Sequence, residues 1–317
     1  MHRAVVASKS EYTHLTSDQI RVIPLKSGSN EVYKVEFPSY PPLIYRKFSS
    51  CPLVSRSQEH STFLRVAAAG LGPACIGLGA GYRLEEWLDG DIAQRTEVQG
   101  LVEPIARTLA RFHSLEQGRG EGNMRKQLGQ WMHLFERQKA EYSHFLSTET
   151  HQRLASLSSF LSTEQSRVFS LIRSESQLIF CHNDVSHSNI LKRADGSLLL
   201  LDYEYSGLDC AASDLAMLAN EVTYEYFPTA EVCFRRRLDQ ALPATSISAL
   251  IETYSSESGL PEEQIWREFY RMRPAKHYYC LLWALCKYTP GTEAWFDLLS
   301  YAESRLSSYF LELEKLP

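Results

Sequence analysis

The residues best suited to chemistry lie in one stretch, Leu178 to Glu204, which reads LIFCHNDVSHSNILKRADGSLLLLDYE. An apolar run, Leu178 to Cys181, stops at His182, Asn183 and Asp184, and Asn189 follows five residues after Asp184. A second apolar run, Leu198 to Leu201, delivers Asp202 and Glu204. Apolar runs bounded by Asx and Gly predict short buried strands, with Asp195-Gly196 as a hairpin turn between them. A period of two places Asp202 and Glu204 on one face of their strand, beside the loop carrying Asp184 and Asn189. Three carboxylates this close repel one another unless a cation neutralises them, and oxygen donors suit a hard divalent cation.

Phosphoryl transfer to a hydroxyl needs a loop Asp to orient or deprotonate the acceptor. It also needs an Asn five residues on for one Mg²⁺ and a strand-borne Asp for the metal at the phosphates. Asp184, Asn189 and Asp202 have those types, that order and that spacing. Turn capping explains Asn183 and Asp195 but not an apolar strand that ends in Asp202-Tyr203-Glu204. His182 reads as a support of the loop through hydrogen bonds, and His187 as solvent-facing. No Walker A loop is present, which excludes a P-loop phosphotransferase.

These groups must be positioned by the elements around them. Strands are predicted at Ile20 to Leu25 and Glu31 to Phe37, joined by Ser27-Gly28-Ser29-Asn30, a turn whose N–H groups can cover a phosphate. In the second strand Tyr33, Val35 and Phe37 share a face. A third strand, Leu43 to Phe48, places Arg46 among the apolar Ile44 and Phe48. A helix from Ser55, boxed by Gln58, to Gly70 carries Glu59 on the stripe of Phe63 and Val66. A buried Arg46–Glu59 pair follows, with guanidinium donors left for phosphate oxygens. Ala74 to Leu78 and Tyr82 to Trp87 form a hairpin around Gly79-Ala80-Gly81. No helix follows GLGAG, so it is not a dinucleotide loop.

Asp89-Gly90 marks a hinge, after which the pattern changes from strands to helices. Thr96 with Gln99 forms a capping box for a helix with Leu101, Val102, Ile105, Leu109 and Phe112 on one face. Gln117 to Asn123 reads as a mobile connection. Further helices are predicted around Trp131 and over Thr150 to Arg173, Asp209 to Val222, Ser246 to Ser258, Glu262 to Tyr288 and Thr292 to Leu316. The whole is an α+β architecture with a strand-rich lobe at residues 1–90 and a helix-rich lobe at 91–317.

Composition narrows the class. The 317 residues carry a net charge of −5, which argues against a nucleic-acid partner, and Arg235 to Arg237 reads as a solvated face. No apolar run of 18 residues exists, so no membrane span is expected, and the N-terminus lacks the apolar core of a signal peptide. Seven cysteines without a C-x-x-C pair fit reduced thiols in the cytoplasm.

HNDVSHSN followed by LLLLDYEYSG resembles the choline and ethanolamine kinases, within the aminoglycoside-phosphotransferase-like group of protein-kinase-like folds. EEWLDGD, LARFHSL, DLAMLANE, PAKHYYCLLWAL and SYAESRL extend the resemblance from about Gly28 to Leu306. It implies a two-lobed kinase fold, ATP as phosphoryl donor, Mg²⁺, and a small amino alcohol such as ethanolamine or choline as acceptor. By the same resemblance Asp184 is the catalytic base, Asn189 and Asp202 bind Mg²⁺, and Glu204 supports the second metal. Gly28, Ser29 and Asn30 belong to the nucleotide site. Arg46 and Glu59 take the phosphate-clamp positions, with Lys47 as a competing candidate, and Glu86, Trp87 and Leu88 supply hinge contacts to adenine.

A quaternary ammonium needs aromatic faces and a nearby carboxylate. Glu221, Tyr224, Tyr226, Trp283 and Tyr301 are the candidate walls, with Tyr205 beside them; core packing is the competing explanation for each aromatic. Lys276, Tyr279, Cys280 and Trp283 fall on one helical face, and Cys280 stands where choline kinases are expected to carry tryptophan. Losing one wall costs about 0.5–2 kcal/mol of cation–π attraction. A primary ammonium that can hydrogen-bond Glu221 suffers less than choline. The competing readings are a thiamine or aminoglycoside kinase of the same fold and a catalytically silent kinase-like binding protein, the last opposed by retention of Asp184, Asn189 and Asp202.

Overall fold

The computed structural model describes residues 4–5, 8, 12, 15–25, 30–142, 144–172, 177–227, 233–290 and 297–316. The chain divides into two units, one of residues 1–91 with 192–204 and one of residues 92–191 with 205–317. The segment carrying Asp202 and Glu204 thus groups with the N-terminal strands rather than with the helices around it in sequence.

In the first unit, β1 (Arg21–Leu25), β2 (Glu31–Glu36), β3 (Leu43–Lys47), β4 (Cys75–Gly79) and β5 (Tyr82–Glu86) form an antiparallel sheet in the order β1-β2-β3-β5-β4. Alternation sorts its two faces. Val35, Leu43, Tyr45 and Leu84 enter the core with Phe37. On the opposite face Arg46 lies across from Val32 on one side and from Arg83 on the other. Helix α1 (Arg56–Ala68) is capped by Ser55, whose Oγ accepts the Gln58 N–H at 3.4 Å. Gly81, at φ 82°, closes the β4–β5 hairpin.

The second unit is mostly helical: α2 (Val102–His113), α3 (Asn123–Tyr142), α4 (Thr148–Leu171), α5 (Ala212–Glu221), α6 (Ala244–Ser258), α7 (Glu262–Lys287) and α8 (Leu298–Leu313). α7 is its spine, packing against each of α3, α4, α5, α6 and α8. All ten residues of α5 are buried, including Asp214, Asn220 and Glu221, each of which is hydrogen-bonded. β6 (Gln117–Gly118), β7 (Leu178–Cys181) and β10 (Gly207–Asp209) form a three-stranded sheet with β7 in the middle. β11 (Tyr224–Tyr226) pairs with β12 (Phe234–Arg236).

Several sequence expectations are corrected. β7 pairs with β6 and β10, not with the Leu198 run. The Asp195-Gly196 turn follows a different strand, β8 (Ile190–Lys192), and leads into β9 (Leu198–Leu200); the Arg193 N–H donates to Ser197 O at 2.9 Å across it. β9 ends before Asp202, whose φ is 66°, so Asp202 and Glu204 do not share a strand face. The cap before α2 is Gln94 with Glu97, which opens a 3-10 turn, rather than Thr96 with Gln99. Within Gln117 to Asn123, Arg119, Gly120 and Glu121 are exposed, but the two glycines on either side of them are closely packed. A Cβ on Gly118 would meet Leu208 Cδ1 at 2.6 Å, and one on Gly122 would meet Asp209 Oδ1 at 2.5 Å. Of the three arginines expected to be solvated, Arg236 donates to Ser308 Oγ and Arg237 pairs with Glu225 and Asp239, leaving Arg235 exposed. Among the described residues no helix is long and apolar enough to cross a membrane, and all seven cysteines are free thiols.

Candidate active site

The loop after β7 is built on its main chain. Asp214, in the first turn of α5 and wholly buried, accepts the His182 N–H on Oδ2 and the Asn183 N–H on Oδ1, each at 2.7 Å. His113 of α2 touches the same Oδ2 through Nε2 at 2.9 Å, and its Nδ1 meets Tyr254 Oη at 2.7 Å. Burial works to raise the Asp214 pKa, but these donors outweigh it and hold the carboxylate below its ordinary range. His182 is the expected support: its Nδ1 accepts the Asp184 N–H at 3.3 Å and its carbonyl accepts Ser206 Oγ at 3.3 Å. His187, expected to face solvent, is half-buried, and burial lowers its pKa.

Asp184 emerges half-exposed from this frame. Asn189 Nδ2 donates to Asp184 O at 2.9 Å and to its Oδ2 at 3.1 Å. An amide that gives both contacts through nitrogen keeps its oxygen, Oδ1, for another electropositive partner. Asn189 Oδ1 and the carboxylates of Asp202 and Glu204 are all hard oxygen donors, the chemistry that Mg²⁺ takes. By donor type, each of these three residues suits the ion.

In the N-terminal unit, an ionic ladder lies on the sheet face opposite the core. Arg46 Nε donates to Glu85 Oε1 at 2.7 Å, and Arg46 Nη1 lies 3.9 Å from Asp202 Oδ1. Glu85 is also bonded by Arg83 Nη2 at 2.9 Å. The expected Arg46–Glu59 pair is thus corrected. Glu59, buried on α1, is held by Arg56 and lies 3.5 Å from Arg83 Nη2. The geometry of the sheet explains the exchange: Arg46 stands directly across from Arg83, so Glu85, two residues on, is its diagonal neighbour on the same face. Burial works against the charge on Arg46, but Glu85 and Asp202 outweigh it and raise its pKa. Burial likewise acts to raise the Glu85 pKa, and Arg46 and Arg83 bring it below the usual value. Lys47 lies on the exposed side, paired with Glu31 at 2.7 Å.

Gly28 and Ser29 lie outside the described residues; Asn30 is buried, and its Oδ1 accepts the Ser49 N–H at 3.3 Å. At the end of β5, Glu86 N donates to Ala74 O at 2.9 Å, and Glu86 Oε2 accepts the Ala74 N–H at 3.0 Å. Trp87 Nε1 donates to Asp89 at 2.8 Å, with Lys34 Nζ 4.4 Å over its ring. Trp87 and Leu88 follow the end of β5, so their main-chain groups are outside the sheet ladder.

The candidate acceptor residues do come together in the second unit. The Tyr301 ring lies 5.8 Å from Tyr224, 6.4 Å from Tyr226 and 6.4 Å from Trp283. Trp283 Nε1 donates to Tyr205 Oη at 2.9 Å, and Tyr226 Oη donates to Glu221 Oε2 at 3.0 Å. Reading the sequence did not assign a role to Arg305 of α8. It is fully buried, paired through Nη2 with Glu221 Oε1, and its guanidinium sits 3.7 Å over the Tyr224 ring and 4.7 Å over Tyr301. Burial pushes its pKa down, yet Glu221 beside it more than restores the charge. Arg305 lies four residues after Tyr301, one turn along the same helix, a spacing that could have revealed it. Cys280 is buried, its pKa pushed up to about 11 by burial, and it feels Glu221, Arg305, Lys276 and Asp184.

Residues 22–310 match the family model described as choline/ethanolamine kinase. The chain is 23% identical to the ethanolamine kinase of Saccharomyces cerevisiae over 87% of its own length, and spans 60% of that protein. It is 25% identical to the choline/ethanolamine kinase of Rattus norvegicus over 94% of its length and 82% of the relative's. The crystal structure of a choline kinase from Cryptosporidium parvum superposes with a TM-score of 0.84 at 17% identity, covering 99% of this chain and 95% of that one. The strand-rich and helical units accordingly belong to a protein-kinase-like fold, and the chain belongs to the choline/ethanolamine kinase family.

Proposed function

We propose that this protein transfers the γ-phosphoryl group of Mg²⁺-ATP to the hydroxyl of ethanolamine, with choline the poorer acceptor. The observation that carries the transfer is the loop geometry: Asp184 projects from a main chain pinned by Asp214, and Asn189 bonds both its carbonyl and its carboxylate. Asp184 accepts the hydroxyl proton as the acceptor oxygen bonds to the γ-phosphorus and the bond to the β-phosphate oxygen breaks, releasing ADP. Asn189, Asp202 and Glu204 would hold Mg²⁺, which when bound offsets charge on the phosphate oxygens. Arg46, steadied by Glu85, serves the phosphates. Glu59 supports this group through Arg83 rather than through Arg46 itself. The main-chain groups of Trp87 and Leu88, beyond the end of β5 and next to Glu86, take adenine.

Preference for ethanolamine rests on Arg305. Its guanidinium covers the faces of Tyr224 and Tyr301 that a trimethylammonium would use. Cys280 adds no further aromatic face. A primary ammonium brings three N–H donors, which suit the oxygens of Glu221 and the hydroxyl of Tyr226. Seven free thiols support a reducing compartment such as the cytoplasm. The test is ADP release in Mg²⁺ and ATP with ethanolamine, choline, thiamine and kanamycin in turn. The expected order of kcat/KM puts ethanolamine first and choline at least about 10-fold lower, since each 1.4 kcal/mol is a factor of ten. Faster turnover of thiamine or kanamycin, or none with any alcohol in protein that binds ATP, contradicts the proposal.

A further inference from the structure

Lys276 of α7 is wholly buried, and no described carboxylate lies within ion-pairing distance of its Nζ. A buried ammonium costs several kcal/mol unless it is hydrogen-bonded or paired. Its two hydrogen bonds go to a single residue: Nζ donates to Asn183 O at 3.4 Å and to Asn183 Oδ1 at 3.3 Å. The Tyr279 ring lies 5.2 Å away, and the charges of Asp209 and Asp214 are within electrostatic reach.

Asn183 is no ordinary partner. Its φ is 66°, a left-handed conformation that costs a non-glycine residue about 1 kcal/mol or more and needs support from its surroundings. Its N–H is held by Asp214, its Nδ2 donates to Tyr205 O at 3.3 Å, and its Oδ1 also accepts Ser213 Oγ at 3.0 Å. The carbonyl of Asn183 and the amide of Asp184 belong to one rigid peptide plane. Lys276 grips that plane at the oxygen, and His182 Nδ1 grips it at the N–H.

We propose that Lys276 is a positioning residue for the transfer reaction: by bonding Asn183 it fixes the peptide plane that aims the Asp184 carboxylate. The inference rests on the reading of Asp184 as the base. It does not require Lys276 to touch either substrate. The ammonium sits one helical turn before Cys280 and two before Trp283, so the face of α7 that meets the acceptor cage also sets the base.

The test is steady-state kinetics of Lys276→Met, with thermal unfolding recorded alongside. Misplacing a reacting group by about 1 Å costs on the order of 100-fold in rate. Lys276→Met is therefore expected to lose about 100-fold in kcat, with KM for ATP and ethanolamine within about threefold. The methionine removes a buried charge without leaving a hole, so its unfolding midpoint is expected to equal or exceed that of the parent. Lys276→Ala provides the second arm: methylammonium at saturating ethanolamine should restore part of kcat in this variant and none in the parent. A kcat within threefold of the parent, a rise in KM alone, or a loss of folding in both variants overturns the proposal. Asp184→Asn separates the two ideas. If it is inactive while Lys276→Met is not, only the role of Lys276 falls; if it turns over normally, the base assignment falls.

Discussion

The loop carrying Asp184 and the aromatic cluster around Glu221 sit in the same unit and are held by opposite means. Around Asp184 the donors are mostly main chain, gathered by one carboxylate, Asp214, on a neighbouring helix. Around Glu221 the hydrogen bonds and ring contacts described above run from side chain to side chain, brought from α5, β11, α7 and α8. A main-chain frame tolerates substitution at its outward positions but collapses with its anchor. A side-chain cage can be retuned residue by residue, at the risk of stranding a buried charge. On the proposed function, the main-chain frame would set the reaction and the side-chain cluster the acceptor.

Removing the anchor should do the most damage. Asp214→Ala orphans two buried N–H groups and the Nε2 of His113, so a loss of about 3 kcal/mol or more in chemical denaturation is expected. The kcat of protein that remains folded should fall at least about 100-fold. Retained turnover would mean that the frame is not anchored there. The cage should respond differently. Arg305→Met strands Glu221, and about 3–5 kcal/mol of stability should go with it; pairing it with Glu221→Gln removes the stranded charge. In that double variant the uncovered faces of Tyr224 and Tyr301 should raise choline turnover relative to ethanolamine by about 10-fold, read as a ratio of kcat/KM. An unchanged ratio would show that Arg305 does not set the acceptor.

A smaller effect sharpens the comparison at the base of the loop. Asp209 accepts the Met124 N–H at 2.7 Å, and burial, opposed by Lys276, raises its pKa to about 6. The folded protein thus holds this proton more tightly than the unfolded chain, whose carboxyl titrates near 3.8. Between those values the native state binds more protons, so this group's contribution to stability falls as pH rises from about 4 to about 6. Asp209→Asn should flatten that part of the stability–pH curve and leave the variant up to about 3 kcal/mol ahead at pH 7. Parallel curves for the two proteins would contradict it.

Much of this was legible in sequence because local pattern carried it. Asp184, Asn189 and the frame of HND stand in one short motif, and the Tyr33, Val35 and Phe37 alternation placed β2 correctly. The failures have a common cause in pairing across distance. Arg46 found Glu85 rather than Glu59 because a sheet register, not a helical stripe, brought the partner near, although Arg83 and Glu85 alternate visibly on β5. The run ending in Asp202 looked like a strand to its end, but the chain turns left-handed at that residue, where Arg46 and the packing of Tyr203 on Phe63 hold it. Arg305 escaped because a buried arginine in the polar–apolar pattern of α8 looks like any surface charge until Glu221, 84 positions away, is placed beside it.

The most direct measurement is the formation of phosphoethanolamine from ethanolamine and Mg²⁺-ATP by the parent protein and by Asp184→Asn, followed by phosphorus NMR, with ATP binding measured on both. Stoichiometric phosphoethanolamine and ADP from the parent, and a loss of at least about 1,000-fold in the variant with ATP affinity within threefold, is the predicted result; removing the base forfeits proton transfer worth on the order of 10²–10⁴. Equal product from both proteins, or none from a parent that binds ATP, would contradict it.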